Sequence, residues 1–167
     1  MTANIFPLVS VSGRFWRMLS VRWQREPLSS GSHLVGGRWN RTGMPALYIA
    51  GDHTTAIAEY LQALLRPGTL VAYDVSSLAI ADLTDRGLLA DQGIDPALLT
   101  SYWREQRDVE GRTPDTWLLA DTLIEAGADG ALVPSAQHKS GTNLVLWRWG
   151  EAGGADVRVI DPERELR

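Results

Sequence analysis

The chain has 167 residues, 44% hydrophobic and 22% charged, a length and balance that suit one globular domain and exclude the disordered and fibrous classes. It contains no cysteine, which excludes a disulfide framework, a thiolate metal site and a cysteine nucleophile, and fits a reducing cytoplasm. The net charge of -4 is unevenly spread: the first 50 residues carry six arginines against Glu26 alone, a net of +5, and the remainder is acidic. A basic segment in an acidic protein points to a local anionic ligand, not to general affinity for nucleic acid.

The N-terminal residues show no basic region ahead of an apolar run, and no window approaches the roughly 18 apolar residues of a membrane span, so neither export nor membrane insertion is expected. Residues 14–19, R-F-W-R-M-L, alternate as a first strand. A loop punctuated by Pro27, Gly31 and the pair Gly36-Gly37 leads to a short strand over 46–50. Asp52 is placed to cap a helix over 53–66, with Ile57, Tyr60, Leu61 and Leu64 as its apolar stripe and Pro67-Gly68 as its stop. Strands are predicted over 69–75 and 78–83. Residues 85–108 read as helical pieces broken at Gly93 and Pro96. Thr113 caps and Pro114 opens a further helix to about Ala126, ended by Gly127. The chain closes with strands over 130–135, 143–149 and 156–161. Strands on both sides of a helical middle predict an α+β fold, a single domain with a mixed central β-sheet flanked by helices, and not a regular βαβ repeat.

Several chemistries are missing. His33, His53 and His138 stand in separate segments without the spacing of a zinc site, so no metal is expected. The sequence has no phosphate-binding G-x-x-x-x-G-K-[ST], no G-x-G-x-x-G after a strand and no G-x-S-x-G elbow.

The candidate site residues are weak one by one. By spacing alone, Arg38 after the Gly36-Gly37 turn reads as a surface arginine stacked on Trp39 or paired with a carboxylate, and Tyr48 as a core tyrosine. Glu59 falls on the flank of the apolar stripe, where a glutamate is normally solvated, and Ser135 and Asn143 read as turn residues.

Their order is more informative. G-G-R-W-N-x-x-G, then L-Y-x-A, a helix with A-x-A-E, then V-P-S-A and G-x-N-L-V-L-W resembles the RES-domain family, named for an arginine, a glutamate and a serine, from about Phe15 to Trp149. On this pattern Arg38 matches the family arginine, Tyr48 its tyrosine, Glu59 its glutamate and Ser135 its serine, with Ser140 close by as the other candidate serine. Arg17 matches an earlier arginine. The resemblance implies a fold similar to that of ADP-ribosyltransferases and the role of toxin in a RES-Xre toxin–antitoxin system. It implies an enzyme that consumes NAD+ by cleaving the nicotinamide–ribose bond, with water or inorganic phosphate as acceptor, or else a mono-ADP-ribosyltransferase that modifies a cellular protein.

On that reading Arg38, supported by Arg17, clamps the pyrophosphate, and Glu59 stabilises the developing oxocarbenium charge or holds the ribose hydroxyl. Tyr48 offers its ring to the cationic nicotinamide, and Ser135 and Asn143 complete the hydrogen bonding. The leaving group departs as a neutral base, so no metal is needed. An Xre-like antitoxin is the expected partner, inserting a C-terminal segment toward the basic residues. A lesser alternative is a nucleic-acid-binding module or ribonuclease toxin, because residues 14–25 and 147–149 interleave arginine with tryptophan.

Overall fold

In the computed structural model, which describes residues 6–62, 65–150 and 153–166, two long strands organise the sheet. Strand β1 (Leu8–Ser20) runs antiparallel to β3 (Gly68–Asp82), in register from Leu8 opposite Ala81 to Ser20 opposite Gly68, with one irregularity between Val9 and Val11. The other edge of β3 carries β6 (Asp156–Val159) antiparallel at Tyr73–Ser76 and β4 (Gly130–Pro134) parallel at Ile80–Asp82. Strand β4 pairs antiparallel with β5 (Thr142–Leu146), and β5 with β2 (Leu47–Ala50). Trp16 of β1 meets Ala50 of β2 and closes the ring β1-β2-β5-β4-β3. The expected α+β class and mixed sheet are present, but the sheet closes on itself like a barrel.

Strand alternation then divides the apolar residues between two volumes. Phe15, Leu19, Leu47, Ile49, Val71, Tyr73, Val75, Leu144 and Leu146 fill one cluster, lined by strands on every side. The opposite face packs against helices: Ala131, Val133 and Val145 meet Trp39, Leu89, Leu99, Ala120 and Leu123. Those helices are α2 (Arg86–Asp91) and α4 (Asp115–Glu125), with the 3-10 turn Pro96–Thr100. Helices α1 (His53–Tyr60) and α3 (Trp103–Asp108) border the region described below. No described helix is long and apolar enough to cross a membrane.

Local signals explain the helix starts. Asp52, Asp85 and Asp95 each accept a hydrogen bond from a backbone N–H in the first turn they precede, at 2.8, 3.0 and 2.9 Å. Helix α4 begins one residue later than predicted, with Pro114 in extended conformation as its cap, and Gly127 at φ 93° follows its end.

Other expectations are corrected. Strand β1 starts six residues before Arg14, because its partner β3 is itself longer: 69–75 and 78–83 form one strand, continuous through Ser76 and Ser77. Ser77 is buried there because its hydroxyl donates to Asp129 at 2.8 Å. Strand β5 stops at Leu146, because the N–H groups of Trp147 and Arg148 both turn to the Asp129 carbonyl. Helix α1 ends at Tyr60, and Leu64 of its predicted stripe lies outside the described residues. The stripe itself is misplaced. Ile57 and Leu61 are exposed, and the buried residues of α1 are Thr55 and Ala56.

Close strand packing sets one stability prediction. A Cβ on Gly130 would stand 2.2 Å from the Val145 carbonyl oxygen and 2.8 Å from a Leu146 methyl, with backbone that has no room to yield. Gly130→Ala should therefore cost about 1–3 kcal/mol or more in urea unfolding, and a wild-type midpoint would refute this packing.

Candidate functional site

The site is assembled on the helix-facing side of the small strands. On β2, Tyr48 and Ala50 point opposite to Leu47 and Ile49, and on β5, Asn143 and Val145 share a face opposite to Leu144 and Leu146. Register lines up Trp16, Ala50, Asn143 and Val133 across four strands. The small Ala50 between Trp16 and Asn143 leaves the floor open. Above it lies a cleft of about 1390 Å³, bordered by Arg17, Arg38, Tyr48, Glu59, Ser135 and Asn143 among others. That volume exceeds the roughly 300–1,000 Å³ of ordinary small-molecule pockets.

Glu59 reaches the cleft from α1, one turn after the buried Thr55 and Ala56. Its Oε1 accepts from Ser135 Oγ at 2.6 Å and from Asn143 Nδ2 at 2.7 Å. Its Oε2 has no hydrogen-bond partner among the described residues, so the carboxylate is fixed by one oxygen and offers the other. Ser135 is 7% exposed, whereas Ser140 is exposed and takes no part. The reading of Glu59 as a solvated flank residue fails because the inward side of α1 covers a polar cleft, not a core.

Arg38 stands on a braced loop. Gly36 adopts φ 77°, and a Cβ on Gly37 would come within 2.6 Å of both the Tyr48 hydroxyl and Asn40 Oδ1, so only glycine permits this approach. The Tyr48 hydroxyl accepts from the Trp39 N–H at 2.9 Å and donates to Asn40 Oδ1 at 2.7 Å. Backbone carbonyls of the same loop are also taken: Gly37 accepts from Trp117 Nε1, Arg38 from Thr116 Oγ1 and Trp39 from Trp147 Nε1. Tyr48 is thus not a plain core residue. Burial, against the opposing effects of the Trp39 N–H and Arg38, pushes its phenol well above the usual tyrosine value and keeps it neutral.

The Arg38 guanidinium donates through Nη1 to the Ser101 carbonyl. Burial lowers its pKa from the ordinary arginine value, Glu59 and Tyr48 raise it, and Arg104 lowers it further. No carboxylate lies within ion-pair distance of Arg38 among the described residues. Its charge and that of Glu59 therefore sense each other across the cleft without pairing.

Arg17 is placed differently. It borders the cleft along β1, but its side chain is on the face of Phe15 and Leu19, where Nη1 donates to the carbonyls of Pro27 and Ser29. Sequence reasoning also missed Asn40, Ser101 and Arg104. Asn40 stood inside the G-G-R-W-N block and could have been flagged as a buried amide; Ser101 acts through its backbone, which no side-chain pattern reveals. Among the described residues no group of three or more histidine, aspartate or glutamate side chains is arranged to hold a metal ion.

Comparisons with known proteins bear on this arrangement. The model of the RES domain matches residues 14–167. A chain of the crystal structure of the M. tuberculosis MbcT-MbcA toxin-antitoxin complex shares the fold, with TM-score 0.60 and 20% identity over 90% of this chain and 84% of that one. No curated protein sequence matches.

The Tyr48 contacts generate a direct prediction. Tyr48→Phe leaves a buried N–H and a buried amide oxygen without their partner and should lower unfolding free energy by about 1–3 kcal/mol. Urea titration checks it, and unchanged stability would mean that the hydroxyl does not brace the Arg38 loop.

Proposed function

The chain belongs to the RES domain family, and on that premise we propose that it is the toxin of a toxin–antitoxin pair, an enzyme that cleaves the nicotinamide–ribose bond of NAD+ on a fold of the ADP-ribosyltransferase kind. The observation that carries this reading is the fixed Glu59 carboxylate, held by Ser135 and Asn143 with one oxygen free, facing a cleft whose other fixed charge is Arg38.

NAD+ offers the complementary pair of charges, an anionic pyrophosphate and a cationic nicotinamide. The Arg38 guanidinium binds the pyrophosphate by charge-assisted hydrogen bonds, and its loop holds it in place before substrate arrives. As the bond breaks, the electron pair leaves with the nicotinamide nitrogen and neutralises the pyridinium, and positive charge develops on the ribose. Glu59 Oε2 stabilises that charge or accepts the 2''-hydroxyl hydrogen bond, without rotating, because Oε1 is already tied. Tyr48, neutral and half-buried, adds an aromatic wall for the cationic ring. Arg17 contributes by tying the carbonyls of Pro27 and Ser29 to β1, the strand that borders the cleft. Water, inorganic phosphate or a protein side chain then attacks the ribose. The MbcT-MbcA complex is a toxin-antitoxin pair, and the partner of this chain is likewise an antitoxin, one that would shut NAD+ out by inserting toward Arg38.

Purified protein should release nicotinamide from NAD+. Glu59→Gln, which preserves shape, should slow release about 10²–10³-fold, and Arg38→Ala should lower kcat/KM about ten- to hundredfold through the lost charged hydrogen bonds, worth about 1.5–3 kcal/mol. Repeating the assay with inorganic phosphate and with cell lysate identifies the acceptor. NAD+ left intact in all three conditions would overturn the reading.

A further inference from the structure

Glu59 and Ser135 lie 76 residues apart on different elements, and their hydrogen bond depends on how α1 is joined to the turn after β4. That turn, residues 135–141, is closed by its own backbone: the Ser135 N–H donates to the Gly141 carbonyl and the Gly141 N–H to the His138 carbonyl, both at 2.9 Å. Ser135 Oγ accepts from the N–H groups of Gln137 and His138 at 3.2 and 3.0 Å. An oxygen with both acceptor positions filled has only its proton left to give, and gives it to Glu59.

The side chain of His138 makes the connection to α1. Its Nδ1 lies 2.7 Å from Thr55 Oγ1, and Thr55 is fully buried. The Thr55 hydroxyl proton is committed to Asp52 Oδ2 at 2.8 Å, so its oxygen is the acceptor and His138 Nδ1 carries the proton. Thr55 stands four residues before Glu59, on the same side of the helix. Gly141 closes over the pair: a Cβ there would stand 2.3 Å from Thr55 Oγ1 and 2.9 Å from His138 Nδ1. Helix α1 and the turn 135–141 therefore meet at one histidine nitrogen.

The geometry points to His138 as a positioning residue, which locks the Ser135 turn onto α1 through Thr55 and so sets the Glu59 carboxylate in its working orientation. This rests on the proposed role of Glu59. His138 need not touch substrate: its ring holds the helix and its main-chain N–H holds the serine.

The test uses His138→Asn, whose Nδ2 can replace the Nδ1 donor, together with His138→Gln and His138→Ala, which cannot supply a donor at that point. His138→Ala and His138→Gln should lower kcat for nicotinamide release about ten- to hundredfold with KM changed less than about twofold, and His138→Asn should restore kcat to within about threefold of wild type. Thermal unfolding of each variant separates this from loss of fold: rescue of kcat by Asn at equal melting temperature to Gln supports positioning. Equal kcat in Asn and Gln variants, or wild-type kcat in Ala, would overturn it. Two readouts need no turnover. Nitrogen-15 spectra of wild type should show a protonated Nδ1 on His138, and amide exchange at His138 and Gly141 should quicken at least about tenfold in His138→Ala but not in His138→Asn. If wild type releases no nicotinamide, the reading of Glu59 fails, and these two measurements still decide whether His138 joins the turn to the helix; an unprotonated Nδ1 or unchanged exchange would show that it does not.

Discussion

The alternation of β2 and β5 is the constraint on which both core and cleft depend. Two short strands supply Leu47, Ile49, Leu144 and Leu146 to the interior of the ring and Tyr48, Ala50, Asn143 and Val145 to its helix-facing side. A slip of one residue in either strand would exchange these sets, sending Asn143 inward and a leucine into the cleft. The register is therefore held by hydrophobic burial, and the site inherits its precision from that burial. Ring closure at Trp16 and Ala50 adds β1 as the cleft's side wall.

A second consequence concerns the loop that bears Arg38. Its carbonyls at Gly37, Arg38 and Trp39 and its N–H at Trp39 are all satisfied by side chains from α4, β2 and Trp147. Such a loop loses little further freedom when a ligand arrives, so the binding free energy of an anion is not spent on ordering it. The same bonds couple the site to the helix-side core: Trp117 and Trp147 sit in apolar surroundings while their indole N–H groups hold the loop.

What was legible in the sequence, and what was not, follows from the kind of signal each feature leaves. The glycine pair, the short strand with Tyr48 and the Asp52 cap are local signals that the sequence shows in place. The apolar stripe of α1 was not, because a periodicity argument assumes that the inward face of a helix is apolar, and here that face carries Thr55, Ala56 and Glu59 over a polar cleft. The single strand β3 was divided at Ser76-Ser77 because a buried serine looks like a break until its partner, Asp129, is found 52 residues away. Contacts such as Arg38 to Ser101 and His138 to Thr55 join distant segments, one through a backbone carbonyl and one through a hydroxyl, and neither leaves a pattern in the residues around it.

The charge asymmetry illustrates the same point in physical terms. The basic first 50 residues suggest an anionic ligand, yet half of those arginines are spent elsewhere: Arg14 on Asp74, Arg41 on Asp121, and Arg17 on two loop carbonyls. The two ion pairs are exposed and contribute little. Of the six, Arg38 puts a guanidinium toward Glu59 and Arg17 borders the cleft with its side chain on the opposite face of β1, and the remaining cations at the cleft, Arg66, Arg104 and Lys139, come from the acidic remainder of the chain. A cleft in which the cations Arg38, Arg66, Arg104 and Lys139 outnumber the carboxylates Glu59 and Glu105 favours an anionic ligand, while Glu59 is the carboxylate tethered by Ser135 and Asn143. Net charge by segment therefore anticipated cations at the cleft, while folding drew most of them from other residues.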